Sequence, residues 1–198
     1  MKGKTMKTQH IQIGMIPAIL YGEPAQRGYL FLHGQMGHKE EAAAFALIAC
    51  PQGYQVLSID LPGHGERQNR DEVFTPWTAV PDIQAALYWS KQHWKTVSLR
   101  ANSIGAYFAM LALDTPRRAL LVSPIVDMER LILTMMGWAG VSEEQLKEQG
   151  EIATSFGQTL SWTYLCWVRE HPVHHWDCPI CILYGSGDNM TPRHTVEE

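Results

Sequence analysis

The sequence has no hydrophobic run long enough to cross a membrane, and neither sign of charge dominates it. No segment reaches about 18 consecutive apolar residues, and the lysines among the first ten residues are not followed by the apolar stretch of a signal peptide. We therefore expect a cytoplasmic protein. Its 16 basic and 20 acidic residues give a formal net charge of -4. Because lysine and arginine form no long run, nucleic acid is not expected as a partner.

Cysteine is also scarce, and the four residues are Cys50, Cys166, Cys178 and Cys181. The last two form a CxxC pattern, which could indicate a metal or redox pair. This pattern leads into an apolar run at 180–184 that predicts a strand, where residues three apart point to opposite faces. No second pair at ligand spacing completes a zinc site. We therefore interpret the cysteines as small apolar fillers of a reduced core, and expect no metal.

The order of apolar segments predicts an α/β fold within one compact domain. Alternation from Gln9 to Tyr21 indicates an antiparallel hairpin, and short apolar runs then alternate with helical patterns, as in a parallel sheet covered on both faces. The predicted strands are Tyr29–Leu32, Val56–Ile59, Thr96–Leu99, Ala119–Val122 and Ile180–Tyr184. The predicted helices are Glu40–Cys50, one that starts at about Pro81, and Ile104–Leu113.

Between residues 127 and 176 this alternation gives way to helical patterns rich in Met, Trp and Leu. We interpret the segment as an inserted helical cap, which leaves 1–126 and 177–198 as two parts of the core. Its tryptophans could line an apolar acyl pocket, or they could pack the cap helices together, which is the more frequent role of such residues. They are Trp138, Trp162, Trp167 and Trp176.

The strongest chemical signal is the segment Ala101-Asn102-Ser103-Ile104-Gly105, between a predicted strand and a predicted helix. A serine at a sharp strand-to-helix turn projects its hydroxyl, and the residues two before and two after it must be small because strand and helix nearly touch. Ala101 and Gly105 meet that demand. The alternative is a serine that only caps the helix.

Together with three further motifs, this segment resembles the α/β-hydrolase superfamily, in its serine esterase, lipase and serine aminopeptidase branch. His33-Gly34-Gln35-Met36-Gly37 is similar to the oxyanion loop HGxxG, and Asp60 to Gly65 is similar to the D-x-P-G-H-G loop. Gly185 to Asp188 is similar to the turn that carries the catalytic acid. The resemblance implies a mostly parallel sheet flanked by helices, with the cap inserted.

The resemblance also assigns roles. Ser103 is the expected nucleophile, the backbone N–H groups of Gln35 and Ile104 are the expected oxyanion donors, and Asp188 is the expected acid, although it could be only a solvated turn residue. His33, Asp60 and His64 are expected to shape their loops rather than to catalyse. For Arg100, near the end of a buried strand, we expect a buried ion pair if the residue is not exposed.

The catalytic histidine breaks the pattern. In this fold the base lies in a loop after one further strand, and only His194 follows Asp188, in the first turns of a helix. The resemblance therefore places the base beyond Glu198, with a final strand and helix missing from the sequence, and leaves His194 as a weak candidate. The cluster His171, His174 and His175 is a further alternative, although exposed polar residues at a helix end are the simpler interpretation.

The sequence predicts a serine hydrolase that cleaves a small or medium carboxylic ester or thioester through an acyl-enzyme on Ser103, without a cofactor. Its glycines form neither GxGxxG nor a Walker loop. The alternative is a non-catalytic ligand-binding or inactive member of the fold that lacks the base. The oligomeric state and the natural substrate are not predicted.

Overall fold

The computed structural model describes residues 6–173, 175–188 and 190–197. Within these residues the strands are β1 Thr8–Ile13, β2 Ile16–Tyr21, β3 Arg27–Leu32, β4 Gln55–Ile59, β5 Thr96–Asn102, β6 Ala119–Val122, β7 Glu151–Ala153, β8 Thr159–Ser161 and β9 Ile180–Leu183. The helices are α1 Ala42–Ala49, α2 Pro76–His93, α3 Ser103–Ala112, α4 Met128–Ala139, α5 Glu143–Gln149, α6 Trp162–Glu170 and α7 Arg193–Glu197.

Across the described residues, seven strands form one sheet in the order β1-β2-β4-β3-β5-β6-β9. The first two strands form the predicted hairpin, which turns at Gly14 with a φ of 60°. β2 pairs antiparallel with β4, and every later neighbour in the order is parallel. The prediction of a mostly parallel sheet flanked by helices is therefore confirmed.

Helices pack on the sheet through apolar side chains. On one side α1 packs on Ile19, Phe31 and Val56, which are buried together with three of its five alanines. A close contact also fixes the start of β3, because a β-carbon on Gly28 would overlap the indole of Trp94. These contacts hold β3 and β5 side by side, so that their carboxyl ends meet at one edge.

Helix α2 begins earlier than the sequence analysis predicted, at Pro76 instead of about Pro81. Thr75 and Thr78 form a capping box, and Pro76 occupies the first turn, where a missing N–H has no effect. Pro81 lies inside the helix. The prediction was wrong because it took the second proline as the start signal.

The chain divides into two compact units, the first of residues 6–124 and 175–185 and the second of 125–173, 186–188 and 190–197. The first unit contains the large sheet with α1 to α3. Where the sequence predicted only helices, the second unit also contains a hairpin of the short strands β7 and β8. The division into a core and an inserted cap remains a prediction.

In the second unit three helices are joined by one arginine. Arg169 on α6 donates to Glu129 on α4 at 2.6 Å and forms a two-point ion pair with Glu143 on α5 at 2.7 and 2.8 Å. The tryptophans of the predicted cap have separate surroundings. Trp138 is exposed against Phe156, and Trp167 stacks on His171.

Two expectations about individual side chains were wrong. None of the cysteines is fully buried: Cys50 packs half-buried against the core cluster under α1, Cys166 and Cys178 are also half-buried, and Cys181 is exposed. Trp176 does not belong to the helical unit, since it is buried in the first unit, where its Nε1 donates to the carbonyl of Leu113 at 2.9 Å.

Among the described residues, every helix is too short or too polar to cross a bilayer.

Candidate active site

Ser103 lies at a sharp turn between strand and helix. β5 ends at Asn102, α3 begins at Ser103, and Ser103 has a φ of 47°. A left-handed backbone is unfavourable by about 1–2 kcal/mol for a residue with a β-carbon, so the surrounding structure must hold it in place. Ser103 is half-buried. A strained serine with access to solvent can present its hydroxyl to a substrate.

Two glycines permit this turn. A β-carbon on Gly105 would overlap the carbonyl oxygen of His33, and a β-carbon on Gly34 would stand 3.2 Å from Cβ of Ser103. The loop after β3 therefore packs directly against the start of α3. The sequence analysis predicted that the residue two after the serine must be small. This contact is the physical reason.

The loop of residues 33–39 follows β3, and we name it the oxyanion loop after the motif that its sequence resembles. At its start, buried His33 donates from Nδ1 to the carbonyl of Gly34 at 2.7 Å and accepts at Nε2 from the N–H of Leu61 at 3.0 Å. Because one nitrogen donates and the other accepts, the imidazole is neutral with one fixed tautomer. Burial lowers the pKa of His33 to about 4. These contacts fit a residue that shapes its loop.

At the end of the oxyanion loop, Lys39 forms a buried ion pair with Asp60. Lys39 is 1% exposed and Asp60 is fully buried, and the Nζ to Oδ2 distance is 2.7 Å. Asp60 also accepts from the backbone N–H of Lys39 at 2.8 Å and of Glu66 at 3.0 Å. Burial acts to lower the pKa of Lys39, but hydrogen bonds to Asp60, Glu66 and Glu40 outweigh it and raise the pKa. Asp60 thus anchors the oxyanion loop to the loop of residues 60–66, here the β4 loop.

The tip of the oxyanion loop carries Gln35 and Met36, both exposed. Met36 has a φ of 63°, and its N–H donates to Nε2 of His64 in the β4 loop at 3.0 Å. No sequence pattern indicated this bond, because the motif identifies His64 only as a residue of a glycine-rich turn.

Arg100 does not form the expected ion pair with any carboxylate of the described residues. Its guanidinium donates to the carbonyl of Ala101 at 3.1 Å and to Oδ1 of Asn102, and it lies over the ring of Phe31 at 5.5 Å. Burial lowers the pKa of Arg100. The arginine fits half-buried at the strand end because carbonyl, amide and aromatic groups replace a carboxylate.

Ser123 shares the backbone conformation of Ser103. Among the described residues, the non-glycine residues with a positive φ are Met36, Ser103 and Ser123, the last with a φ of 41°. Asn102 pairs with Val122 in the parallel register of β5 and β6, so both serines follow the last pair of these strands. Neither composition nor a motif indicated that Ser123 has this conformation. The conformation arises where β6 ends, and no sequence pattern records it.

Three of the remaining candidates of the sequence analysis, Asp188, His194 and His171, belong to the second unit. Asp188 is half-buried, and its Oδ1 accepts from the N–H of Met190 at 3.0 Å and of Thr191 at 3.2 Å. His194 is exposed on α7. His171 donates to the carbonyl of Trp167 at the end of α6.

His175, in the first unit, is exposed, whereas His174 lies outside the described residues. The structure thus joins Ser103 and the oxyanion loop within one unit, and it describes Asp188 and His194 with the other. The roles of Ser103, Gln35, Ile104 and Asp188 remain predictions.

Comparison of the whole chain with solved structures gives the same fold. Est1E from Butyrivibrio proteoclasticus with bound ferulic acid is 19% identical, with a TM-score of 0.73 over 96% of this chain and 83% of that one. A putative hydrolase from Agrobacterium vitis S4 is 17% identical, with a TM-score of 0.72 over 98% and 84%. Mouse α/β hydrolase domain-containing protein 10 is 14% identical, with a TM-score of 0.70 over 98% and 82%.

No curated protein matches the sequence significantly. A family model does match it, over residues 24–162, and that family is described as serine aminopeptidase, S33. The matched region includes the oxyanion loop, the β4 loop and the turn at Ser103, and it covers more than half of the chain. The chain therefore belongs to the serine aminopeptidase S33 family and has the α/β-hydrolase fold.

Proposed function

We propose that the protein is a serine hydrolase that cleaves a small or medium carboxylic ester or thioester through an acyl-enzyme on Ser103. The observation that carries this proposal is the left-handed backbone of Ser103, held by the close approach of Gly34 and Gly105. Strain of this kind persists where surrounding contacts determine it, and it is common at nucleophiles.

In the first step, Oγ of Ser103 attacks the carbonyl carbon of the ester while a histidine base takes the hydroxyl proton. The carbonyl oxygen becomes an oxyanion, which accepts hydrogen bonds from the N–H groups of Gln35 and Ile104. The second donor gains from its place in the first turn of α3. The tetrahedral intermediate then expels the alcohol or thiol, which receives the proton, and water hydrolyses the acyl-enzyme with the same groups.

Asp188 is the proposed acid that orients the base. Two backbone N–H groups, of Met190 and Thr191, hold its Oδ1 in one orientation. A carboxylate fixed in this way can accept the Nδ1 proton of an imidazole and stabilise the imidazolium as it forms. Replacement of His194 by alanine tests whether that base is His194, since hydrolysis that survives the change would exclude it.

Two proteins with the same fold motivate the choice of ester or thioester. One of these proteins is named as an esterase, from Pyrococcus furiosus, and another as a thioesterase domain of the curacin biosynthetic pathway. The family description instead suggests a peptide with a free amino end. A panel of p-nitrophenyl acetate, an acyl-thioester and an aminoacyl p-nitroanilide separates these substrate classes.

The decisive experiment is intact-mass analysis after treatment with a fluorophosphonate. We expect one adduct on Ser103, and we expect Ser103→Ala to lose both the adduct and ester hydrolysis. Ser98→Ala is the matched control, because Ser98 is a buried serine on β5, the strand that leads to Ser103. A folded protein that forms no adduct would instead be a non-catalytic binding protein, and hydrolysis that survives Ser103→Ala would refute the assignment.

A further inference from the structure

The oxyanion loop is fixed to the β4 loop at its two buried ends, by His33 at the start and by Lys39 at the finish. The exposed tip between them has only one hydrogen bond to the β4 loop that the described contacts define. That bond runs from the N–H of Met36 to Nε2 of His64. Through this bond His64 restrains the tip between the two buried ends.

Met36 needs such support. The side chain is 89% exposed, so it gains little from burial, and its φ of 63° is unfavourable by about 1–2 kcal/mol. A hydrogen bond to a buried or half-buried acceptor is worth about 0.5–1.5 kcal/mol, which is of the same size. The turn is also closed by a hydrogen bond from the N–H of Gly37 to the carbonyl of Gly34 at 3.2 Å. Loss of the bond to His64 would leave Met36 more free to adopt the conformations that an exposed methionine prefers.

The same bond also constrains the proposed oxyanion donor. The N–H of Met36 belongs to the peptide group that links Gln35 to Met36, so the bond fixes the plane of that peptide. The N–H of Gln35 lies one peptide earlier, and its direction follows from the dihedral angles of Gln35 that this plane restricts. Oxyanion donors act only when they are aimed in advance at the position where the charge develops.

His64 is itself held in place as an acceptor. Its Nδ1 donates to the carbonyl of Pro62 at 2.8 Å, which leaves the lone pair on Nε2 for Met36. The ring packs edge-on against Phe74 with the ring centres 4.3 Å apart. Both the tautomer and the position of the acceptor nitrogen are thus determined by the β4 loop.

We propose that His64 is a positioning residue of the oxyanion hole, which holds the peptide of Gln35 and Met36 through its Nε2 without contact with substrate. This inference rests on the proposed function. A packing role would depend only on the aromatic ring of His64, whereas a positioning role depends on the acceptor atom Nε2. Since the oxyanion exists in the transition state and not in the bound ester, loss of the acceptor should lower kcat and leave KM nearly unchanged.

Two variants separate the ring from the acceptor. His64→Gln can place a carbonyl oxygen near the position of Nε2, whereas His64→Phe keeps an aromatic ring against Phe74 and cannot accept. With p-nitrophenyl acetate, we expect His64→Phe to lower kcat by about 10- to 100-fold, less than complete loss of a donor. We expect KM to stay within about two-fold, and His64→Gln to retain most of kcat.

The outcomes are distinct. If His64→Phe keeps the wild-type kcat, or if His64→Gln falls as far as His64→Phe, the acceptor role is overturned. Should His64→Phe not fold, as judged by circular dichroism, His64→Leu replaces it, with the same expected loss. Wild-type protein whose hydrolysis does not depend on Ser103 would overturn the proposed function and this inference together, whereas Ser103-dependent hydrolysis unaffected by His64→Phe would overturn this inference alone.

Discussion

The backbone of Gly105 lies directly against the carbonyl oxygen of His33, with no room for a β-carbon between them. Backbone atoms on both sides of this contact belong to the turn at Ser103 and to the oxyanion loop, so neither side can yield without moving the site. We expect Gly105→Ala to reduce the free energy of unfolding by roughly 2–3 kcal/mol, as measured by urea denaturation.

The matched control for this change is Gly137→Ala. Gly137 lies inside α4 with open space around the position of a β-carbon, and its φ is not positive. Alanine is favoured over glycine in a helix by about 1 kcal/mol, so this variant should be more stable than the wild type. Equal effects of the two changes would show that Gly105 is not under steric pressure.

The pKa of His33 predicts how stability changes with pH. Burial lowers it to about 4, from the ordinary histidine value of 6.5. Between these values the unfolded chain binds a proton that the folded chain does not. The stability that neutral His33 contributes is therefore fully present above about pH 6.5 and is lost as pH falls toward about 4. The loss from this group approaches roughly 3 kcal/mol.

This pH effect is measured as the difference between the wild type and His33→Gln. Glutamine does not titrate, so the variant should be less stable at pH 7, and the gap in the free energy of unfolding should narrow on acidification to about pH 4.5. A gap that stays constant over this range would mean that His33 titrates equally in both states.

The ion pair of Lys39 and Asp60 predicts a large loss on removal of one partner. Lys39→Met leaves the fully buried carboxylate of Asp60 without its cation, which should reduce the free energy of unfolding by about 3–5 kcal/mol. Lys91→Met on the exposed surface of α2 is the control and should change stability by less than about 0.5 kcal/mol. Similar unfolding midpoints in the two variants would contradict the role given to the pair.

The left-handed backbone of Ser123 predicts an order of stability between two substitutions. Both Ser123→Gly and Ser123→Ala remove the hydroxyl, but only glycine adopts a φ of 41° without strain. The strain is increased by Pro124, since a residue before proline prefers an extended backbone. We expect the glycine variant to be about 1 kcal/mol more stable than the alanine variant in thermal unfolding. The reverse order would show that the backbone there relaxes at no cost.

Much of the centre of the large sheet was predictable because its central strands are buried, as in β4, where every residue is buried. Buried parallel strands are short continuous apolar runs, and β6 has the predicted bounds Ala119–Val122. The turn at Ser103 was predictable for a related reason. The turn requires small neighbours, and these neighbours, Ala101 and Gly105, are close to Ser103 in the sequence. The register of β3 with β5 places the oxyanion loop beside the turn.

The contacts between loops were not predictable. The bond of Met36 to His64 and the ion pair of Lys39 with Asp60 join residues far apart in the sequence, and no periodic pattern marks them. β7 and β8 were missed because each has only three residues, too few to show alternation. For Arg100 the expectation of a carboxylate partner overlooked that carbonyl and aromatic groups can also accommodate a guanidinium.

The contact between Gly34 and Ser103 has a consequence for the order of folding. The two residues meet only after β3 and β5 have paired in parallel, which closes a long loop of chain that contains β4 and α2. Loop closure of this kind makes non-local pairing slow relative to helix formation. The strained conformation of Ser103 therefore arises late, and a partly folded chain would carry helix α3 with an ordinary serine at its start.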